Sequence, residues 1–453
     1  MELNNRQFRF RLVLVLVSLL VLSILALLLL RLALTRDVTR QLAMIHAAGL
    51  PTNADEADKF YPAVPDDENA ALKMAASFAL LTNYPDQRSN EVAAIKFPIR
   101  TAALMADDLK LLVGYSALNS NALAQARAAI QLPRCRYPVD LALGLDALLP
   151  HLAKLKAIAR VAQFQTLLDT NAVASSVSTM IGIARTLDQE PVLISKLIRL
   201  AILNMAVAAL ERRLNTAALS DHDMDLLSRS LMEAAKTNQI ANGLAGERAM
   251  FFPLFRMNLA QMGRLAKTSG DDNPEPSAPP LSGSLSQFFK VTGFFERDLR
   301  FYLHAMETNI SLAATYPKNV PHITDVEAQI FRTCKNRYYI LSGMLLPALE
   351  TAIIKEANSL AQVRAAQTAL SVERFRLQHG TLPNKLDELV PQFLSAVPPD
   401  PFDGQPLRYR RLEKGFVIYS IGSDGEDNGG RERPAAAKST DKTPFDITFT
   451  IER

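Results

Sequence analysis

An acidic, glycine-rich loop near the C-terminus holds the residues whose types and spacing come closest to a metal site. It runs Asp424-Gly425-Glu426-Asp427-Asn428-Gly429, preceded by Ser423. Oxygen ligands at alternate positions before a glycine are typical of the start of a calcium-binding loop. An EF-hand would need an acidic residue at the twelfth position, which is Ala435, so that interpretation fails. Two interpretations stay open: a calcium site formed by Asp424, Asp427, Ser423 and Asn428, or a solvated turn.

The sequence predicts no catalytic residue and no organic cofactor. The histidines are scattered without HExxH or facial-triad spacing, and each is expected to be structural or exposed. His222 lies between Asp221 and Asp223, but acidic residues at a helix N-terminus explain that arrangement better than catalysis does. The chain has no GxSxG, GxxxxGK[ST] or GxGxxG motif. An active site assembled from distant positions stays open as an alternative.

A charged pair and two cysteines complete the residues with chemical interest. Glu247 and Arg248 precede the apolar run AMFFPLF, and we expect a contact at the start of a helix there. A buried ion pair or a partner contact is the alternative. Cys135 and Cys334 are about two hundred residues apart and have no CxxC or metal-ligand spacing. We therefore expect buried free thiols rather than a disulfide.

The elements that position these residues begin with a membrane segment. Residues 12–30 are apolar apart from Ser18 and Ser23, and about 20 such residues cross the hydrocarbon core of a bilayer. A cleaved signal peptide has a shorter apolar stretch that ends in small residues, whereas Arg31 follows directly here. Residues 1–36 are therefore predicted to form a cytoplasmic tail and a single uncleaved transmembrane anchor. The short N-terminal tail is expected to stay in the cytoplasm, with the body outside.

Residues 37–345 are rich in Ala and Leu at helical spacing, which predicts an all-α body. Helix starts are indicated by the acidic residues before Asn69, by Pro191, and by Ser220-Asp221. The apolar run 192–210 contains Lys196 and Arg199, so it predicts a buried helix rather than a second membrane span. Segment 269–284 contains four prolines with Gly, Ser and acidic residues, which predicts a flexible loop.

Residues 346–453 predict an α+β module. Apolar residues recur at helical spacing over 349–378, and Gly380 marks the end of this long amphipathic helix. A short helix over 384–390 and a proline-rich turn over 398–404 follow. Alternating or β-branched residues then predict three antiparallel strands, near 407–410, 416–420 and 445–451, that pack one face on the long helix.

The order of motifs in this module, ERFRLQHGTLP, LDELVP, DPFDGQPLRYR, YSIGSDGEDNGG and DITF, resembles the globular part of the major, G-type pseudopilin of type II secretion systems. The resemblance covers about one fifth of the chain and implies a long helix on a small antiparallel sheet. It also implies that calcium binds the acidic loop. A pseudopilin leader, with its Gly and the Glu that follows, is not found before residue 12, so we interpret the match as a shared module. As a whole, the chain resembles uncharacterised bacterial membrane-anchored proteins.

These features predict a mainly α protein of the bacterial cytoplasmic membrane, with its body in the periplasm or otherwise outside the cytoplasm. The leading hypothesis is a non-enzymatic interaction or assembly protein of the envelope, which the resemblance links to type II secretion. The alternative is an extracytoplasmic enzyme or ligand-binding protein with its site in the helical body. The net charge of +4 is small for 453 residues, and the cationic residues are dispersed, so nucleic acid is not a predicted partner.

Overall fold

The computed structural model describes residues 2–235, 238–257, 293–315, 320–347, 349–434 and 444–453. Within these ranges the chain is mainly helical, with a small antiparallel sheet near its C-terminal end, which confirms the coarse fold prediction. The predicted flexible loop at 269–284 lies outside the described residues.

The N-terminal helix α1 (Glu2–Ala47) contains the predicted membrane segment and then continues without a break. The most apolar stretch within Phe10–Ala47 is 0% buried against the rest of the protein. This stretch is long and apolar enough to cross a membrane, as a single anchor requires. Leu34, Val38 and Ile45, in the extension beyond the apolar run, are buried against the body.

The helices of the body have short connections within the described ranges. In chain order they are α2 (Ala54–Phe60), α3 (Ala70–Leu80), α4 (Arg88–Ala94), α5 (Ala106–Leu118), α6 (Ser120–Ala129), α7 (Pro150–Leu168), α8 (Val173–Arg185), α9 (Leu193–Thr216), α10 (Asp221–Ala234), α11 (Gln239–Phe251), α12 (Phe294–Ala314), α13 (Val320–Arg337) and α14 (Ile340–Leu345). Short 3-10 helices cover Leu141–Asp146 and Phe252–Arg256.

Several helix starts were predictable from their caps. The Asn69 side chain accepts a hydrogen bond from the Ala71 N–H at 3.0 Å before α3. Ser220 Oγ accepts one from the Asp223 N–H at 3.1 Å before α10. Each side chain satisfies an N–H group that the first turn of a helix leaves unpaired. These contacts confirm the predicted helix starts after the acidic run and at Ser220.

Helix α9 lies at the centre of the body and packs against α7, α8 and α11. It is apolar and long enough to cross a membrane by composition alone, but more than half of its apolar window is buried in the protein. Lys196 and Arg199 are 0% and 1% exposed. The predicted buried helix is confirmed, and its charged side chains must find partners inside the protein.

The C-terminal part is built on α15 (Leu349–His379), which ends at Gly380 with a φ of 73°. The predicted short helix is a 3-10 turn at Leu386–Leu389. Strands β1 (Arg408–Arg411), β2 (Phe416–Ser420) and β3 (Ile447–Ile451) pair antiparallel in the order β1-β2-β3. Helix α15 packs on β2 and β3 and also on α9 and α10, so the sheet and the body share one hydrophobic core.

Candidate functional site

A buried polar network lies where the turn after α8 leads into α9, and its centre is the carboxylate of Glu190. This side chain is fully buried. It accepts a hydrogen bond from Ser195 Oγ at 2.5 Å, and His151 Nε2 lies 3.0 Å from one carboxylate oxygen. The Tyr61 hydroxyl is 3.5 Å from the same oxygen. Three polar side chains from three different elements therefore converge on one acid.

Aromatic stacking holds this Glu190 network in place. The ring of Tyr137 stacks on His151 with centroids 4.2 Å apart, and its hydroxyl donates to Thr186 Oγ1 at 2.9 Å. The Tyr61 hydroxyl accepts a hydrogen bond from the Tyr137 N–H at 2.9 Å. Burial, together with the charge of Glu190, raises the pKa of Tyr61 well above its ordinary value. The phenols therefore stay protonated and act as hydrogen-bond donors.

The geometry of the Glu190 network does not match that of a nucleophilic triad. In such a triad a histidine takes the proton of the serine and an acid orients the histidine. Here the Ser195 hydroxyl and the His151 ring both contact the same carboxylate. Since Ser195 is 0% exposed, a substrate could not reach its oxygen without opening the core. The network is therefore suited to fixing the position of the α8–α9 turn.

A second buried group continues from this network along α9. Lys196 Nζ donates to the carbonyl oxygens of Leu187 and Asp188 at 3.0 and 2.7 Å. Arg199 Nε donates to Asp188 Oδ1 at 2.6 Å. Burial, and next the nearby Arg199 cation, lower the pKa of Lys196 to about 7. The Lys196 side chain thus links the start of α9 by hydrogen bonds to the turn that precedes it.

Glu356 on α15 lies near the buried cations Lys196 and Arg199. One of its oxygens accepts hydrogen bonds from the Gln239 and Ile240 N–H groups at 2.9 and 3.1 Å, at the start of α11. Burial raises the pKa of this carboxyl to about 7. The side chain therefore links α15 to α11 through the N–H groups that the first turn of α11 leaves free.

A cavity of about 230 Å³ opens on the outer side of the same turn. Its lining includes Arg134, Cys135, Arg185, Thr186, Asp188 and Gln189. Burial raises the pKa of the Cys135 thiol to about 12, so this sulfur is a poor nucleophile at neutral pH. The cavity combines two cationic side chains at its surface with hydrogen-bonding groups, and could accept a small polar molecule.

The Glu247–Arg248 pair is buried, but the two residues do not pair with each other. They lie in the last turns of α11 rather than at its start, which corrects the leading expectation. Arg248 is 1% exposed, and its Nη1 donates to Glu307 Oε2 at 2.7 Å on α12. Burial raises the pKa of Glu247 to about 7, and one of its oxygens has no hydrogen-bond partner in the described part of the chain. Arg248 is thus the buried member of an ion pair with Glu307, whose side chain is 54% exposed, and not of a pair with Glu247.

The four candidate calcium ligands lie in the exposed turn between β2 and β3. Asp424 and Asp427 each accept a hydrogen bond from the N–H group two residues ahead, at 3.2 and 2.9 Å. Asp427 Oδ2 is 3.7 Å from Arg408 Nε, and Ser423 is exposed beside it. The Asn428 N–H donates to Asp446 Oδ1 at 3.3 Å. These contacts are typical of a turn that is stabilised by its own hydrogen bonds. The calcium site stays a prediction that rests on the sequence of the loop.

Asp446 was not singled out from the sequence, although it organises this loop. It is buried, and its Oδ2 accepts hydrogen bonds from the Gly430 and Arg431 N–H groups at 2.7 and 3.2 Å. Over the described ranges, no three His, Cys, Asp or Glu side chains converge in a geometry that could hold a metal ion.

The remaining predicted residues have structural positions. His222 is exposed in the first turn of α10, where Asp221 binds Arg374 of α15 at 2.8 Å. Cys135 and Cys334 are buried free thiols, as expected. Comparisons of the chain with protein-family models, with curated proteins and with solved structures found no match.

Proposed function

We propose that this protein is a membrane-anchored assembly protein of the bacterial envelope, with its body outside the cytoplasm and no catalytic role. The observation that carries the proposal is the continuity of α1. Its apolar part is unburied, and the same helix then enters the hydrophobic core of the body. A helix that spans a bilayer and continues into the folded body would hold that body at a fixed height above the membrane.

Two ion pairs support a rigid connection between the anchor and the body. Arg31 lies 3.4 Å from Glu296, and Asp37 lies 3.3 Å from Arg300, both on α12. From the first ion pair to the second, the residue number increases along α1 and also along α12. Helix α12 therefore runs parallel to the extension of α1. Single exposed ion pairs contribute little stability, but here they occur beside the buried residues Leu34 and Val38. Such rigidity suits a protein that presents surfaces to partners.

The link to type II secretion rests on the C-terminal module. Its helix-plus-sheet order resembles the globular part of the major pseudopilin, and strands β1 to β3 with α15 have the order that this resemblance implies. We propose that the module contacts secretion or envelope components while α1 keeps it at the inner membrane. The acidic loop at Asp424 and Asp427 would then be a calcium-dependent part of that module.

Three experiments test separate parts of this proposal. Extraction of isolated membranes with alkaline carbonate should leave the full chain in the pellet, and a variant that lacks residues 2–30 should be released. Protease added to intact spheroplasts should then cleave the body if it is outside the cytoplasm. Crosslinking in living cells, followed by purification from solubilised membranes, should recover secretion-system components. A full chain that is released by carbonate would overturn the anchor, and recovery without such components would overturn the link to secretion.

A second candidate function is favoured by the cavity of about 230 Å³ beside Asp188. In this hypothesis the body binds a small polar molecule, and the Glu190 network holds the cavity in shape. Small-molecule screening by thermal shift should find ligands that stabilise the natural chain. The exposed side chain of Gln189 lines the cavity, so Gln189→Trp should fill it and abolish the shift. Exposed Gln87 lies outside the cavity, and Gln87→Trp is the matched control.

A further inference from the structure

The connection between α13 and α14 exposes a group of large apolar side chains, which we call the elbow surface. It consists of Phe331, Tyr338, Ile340 and Met344, whose exposures are 62%, 75%, 58% and 73%. An apolar groove of about 280 Å³ lies beside it, lined by Phe331, Cys334, Gly343 and Leu346 among others. Large apolar side chains exposed close together in the chain and beside an apolar groove are typical of interaction sites. We propose that the elbow surface rests in the headgroup region of the same bilayer that α1 enters.

The height of the elbow surface relative to the membrane follows from α12. Arg31 is the first residue after the apolar run of α1, and it contacts Glu296 in the first turn of α12. Since α12 runs parallel to the extension of α1, its N-terminal end is the end nearest the bilayer. Asp298 is only two residues beyond Glu296, which is about 3 Å along the helix axis.

Asp298 fixes the elbow at that height. Its carboxylate accepts hydrogen bonds from the Leu341 and Ser342 N–H groups at 2.8 and 3.1 Å, at the start of α14. Phe301, one turn further along α12, stacks on Tyr339 with ring centroids 4.7 Å apart. The start of α14 is therefore held beside the membrane-proximal end of α12, and Tyr338 and Ile340 lie next to these contacts.

The charge of the elbow suits an anionic lipid surface. Between Glu327 and Glu350, which line the two ends of the groove, the chain carries Arg332, Lys335 and Arg337 and no acidic residue, so cations outnumber acids here. All three cations are exposed. Aromatic and aliphatic side chains flanked by Lys and Arg are typical of segments that lie in the interface plane of a membrane. Cations at this height gain from the negative potential of anionic lipids.

The backbone at Tyr338 adds an independent observation. Its φ is 55°, a left-handed conformation that is unfavourable for a residue with a side chain. The Tyr339 N–H donates to the Cys334 carbonyl oxygen at 3.1 Å, so the left-handed residue closes the C-terminal end of α13 as in many helices. Most of the Tyr338 side chain is left in solvent. An amphipathic phenol at the tip of the elbow suits the boundary between headgroups and acyl chains.

The bilayer is the occupant that these observations favour because α1 already brings it to this height. A soluble partner and a second copy of the chain are the other occupants, and the experiment distinguishes them from lipid. The inference rests on the proposed anchoring by α1, so the experiment must separate failure of the anchor from failure of the elbow contact.

The natural chain contains no tryptophan, so a single introduced tryptophan is a clean reporter. Full-length chains that carry Tyr338→Trp, or Met344→Trp as a second reporter, would be reconstituted into vesicles of zwitterionic lipid with brominated acyl chains. Bromine quenches tryptophan fluorescence only at short range. We expect both reporters to be quenched relative to vesicles without bromine, and the quenching to increase when an anionic lipid is included.

Two further variants serve as controls. Leu20→Trp lies inside the apolar run of α1 and reports whether the anchor is inserted. Leu377 is 58% exposed near the far end of α15, about 42 Å along that helix from Leu349, and Leu377→Trp should not be quenched.

Each pattern of quenching decides one question. Quenching at Leu20→Trp without quenching at either elbow reporter would overturn the elbow contact alone. No quenching at Leu20→Trp would overturn the anchor and, with it, the inference. Equal quenching at Leu377→Trp would overturn the assigned height. Blue-shifted but unquenched elbow reporters would show that protein, such as a second copy, covers the surface instead of lipid.

Discussion

At the scale of single residues, Glu247 is the buried acid whose effect on the free energy of unfolding can be measured most directly. Its pKa is raised to about 7 by burial, and a hydrogen bond with the Leu193 backbone offsets only part of the loss of water. Between the ordinary carboxyl value and about 7, the folded state therefore binds more protons than the unfolded state. The contribution of Glu247 to the free energy of unfolding must fall as the pH rises through this window, and stay low above it.

Glu247→Gln should therefore stabilise the protein at pH 8 and have little effect at pH 5. The neutral amide resembles the protonated acid, so the gain at pH 8 should be on the order of 1–3 kcal/mol. The free energy of unfolding at the two pH values, from denaturant titration, measures it. Glu413→Gln, on an exposed turn, is the control and should give the same small change at both values. Equal stability of Glu247→Gln and the natural chain at pH 8 would contradict the assignment.

The calcium prediction also belongs to this scale. If Asp424 and Asp427 bind calcium, the cation must compete with Arg408, whose Nε lies 3.7 Å from Asp427. Calcium should then raise the melting midpoint relative to a chelator, and Asp424→Asn with Asp427→Asn should remove the difference. Asp387→Asn, on an exposed acid outside the loop, should keep it. A midpoint that is unchanged by the chelator in the natural chain would leave a solvated turn as the interpretation.

Which residues could be predicted depended on whether their partners were close in sequence. Lys196 and Arg199 in an apolar run indicated a buried helix rather than a membrane span, and the structure confirms the burial. The partner of His151 is Glu190, 39 residues away, and no spacing rule joins them. Asp446 is likewise distant in sequence from the loop that it organises. Its contacts with that loop depend on the pairing of strands β2 and β3, which no local pattern predicts.

At the scale of elements, two glycines allow α11 to approach the start of α9 closely. A Cβ added at Gly246 would lie 1.9 Å from the carbonyl oxygen of Pro191, and one at Gly243 would lie 3.1 Å from Leu193 Cα. The sequence analysis drew attention to the charged pair Glu247-Arg248, whereas the glycines that precede this pair determine the packing. Backbone atoms on the facing turn cannot move aside as a flexible side chain can.

Gly246→Ala should thus destabilise the protein even though alanine favours helices. Overpacking of a tight contact costs about 1–3 kcal/mol, which outweighs the helix preference of less than about 1 kcal/mol. Gly343→Ala is the matched control, since its Cβ would lie at an ordinary 3.7 Å from Cys334 Cβ. Chemical unfolding of both variants measures the difference. If Gly246→Ala is as stable as Gly343→Ala, the close approach of α11 to Pro191 is wrong.

Local signals predicted the elements better than they predicted the contacts between them. Caps at Asn69 and Ser220 and the glycine at 380 each depend on a few neighbouring residues, and each appears as expected. The alternating residues at the C-terminal end form strand β3, but its burial does not alternate, because Thr450 is buried against the side chains of α9. The 3-10 form of Leu386–Leu389 and the continuation of α1 to Ala47 were not predicted. Both depend on packing, of the short turn on α15 and of the extension on α12.

At the scale of the whole molecule, the last strand is joined to the body by side chains of α9. Asn215 Nδ2 donates to the Thr450 oxygen at 2.7 Å, and its Oδ1 accepts from the Glu452 N–H at 2.8 Å. Glu211 accepts from the Thr450 N–H at 2.8 Å. Strand β3 is an edge of the sheet, and these contacts satisfy backbone groups that an exposed edge would leave open.

Asn215→Ala should lower the free energy of unfolding by about 1–3 kcal/mol, because it leaves buried backbone groups without partners. Asn90→Ala, on an exposed position of α4, should change it by less than about 0.5 kcal/mol. Denaturant unfolding followed by circular dichroism measures both variants. A loss at Asn215 no greater than at Asn90 would mean that α9 does not hold the strand.

The shared core makes a stronger prediction about cooperativity. Leu203 of α9, Leu370 of α15, and Ile418 and Phe449 of the sheet belong to one hydrophobic cluster, so the sheet cannot separate without exposing the body. The amides of Ile418 and Leu203 should therefore exchange with solvent at the same free energy of opening in native-state hydrogen exchange. In Asn215→Ala both values should fall together. If the value at Ile418 alone falls, the sheet opens as an independent module, as a freestanding pseudopilin-like domain would.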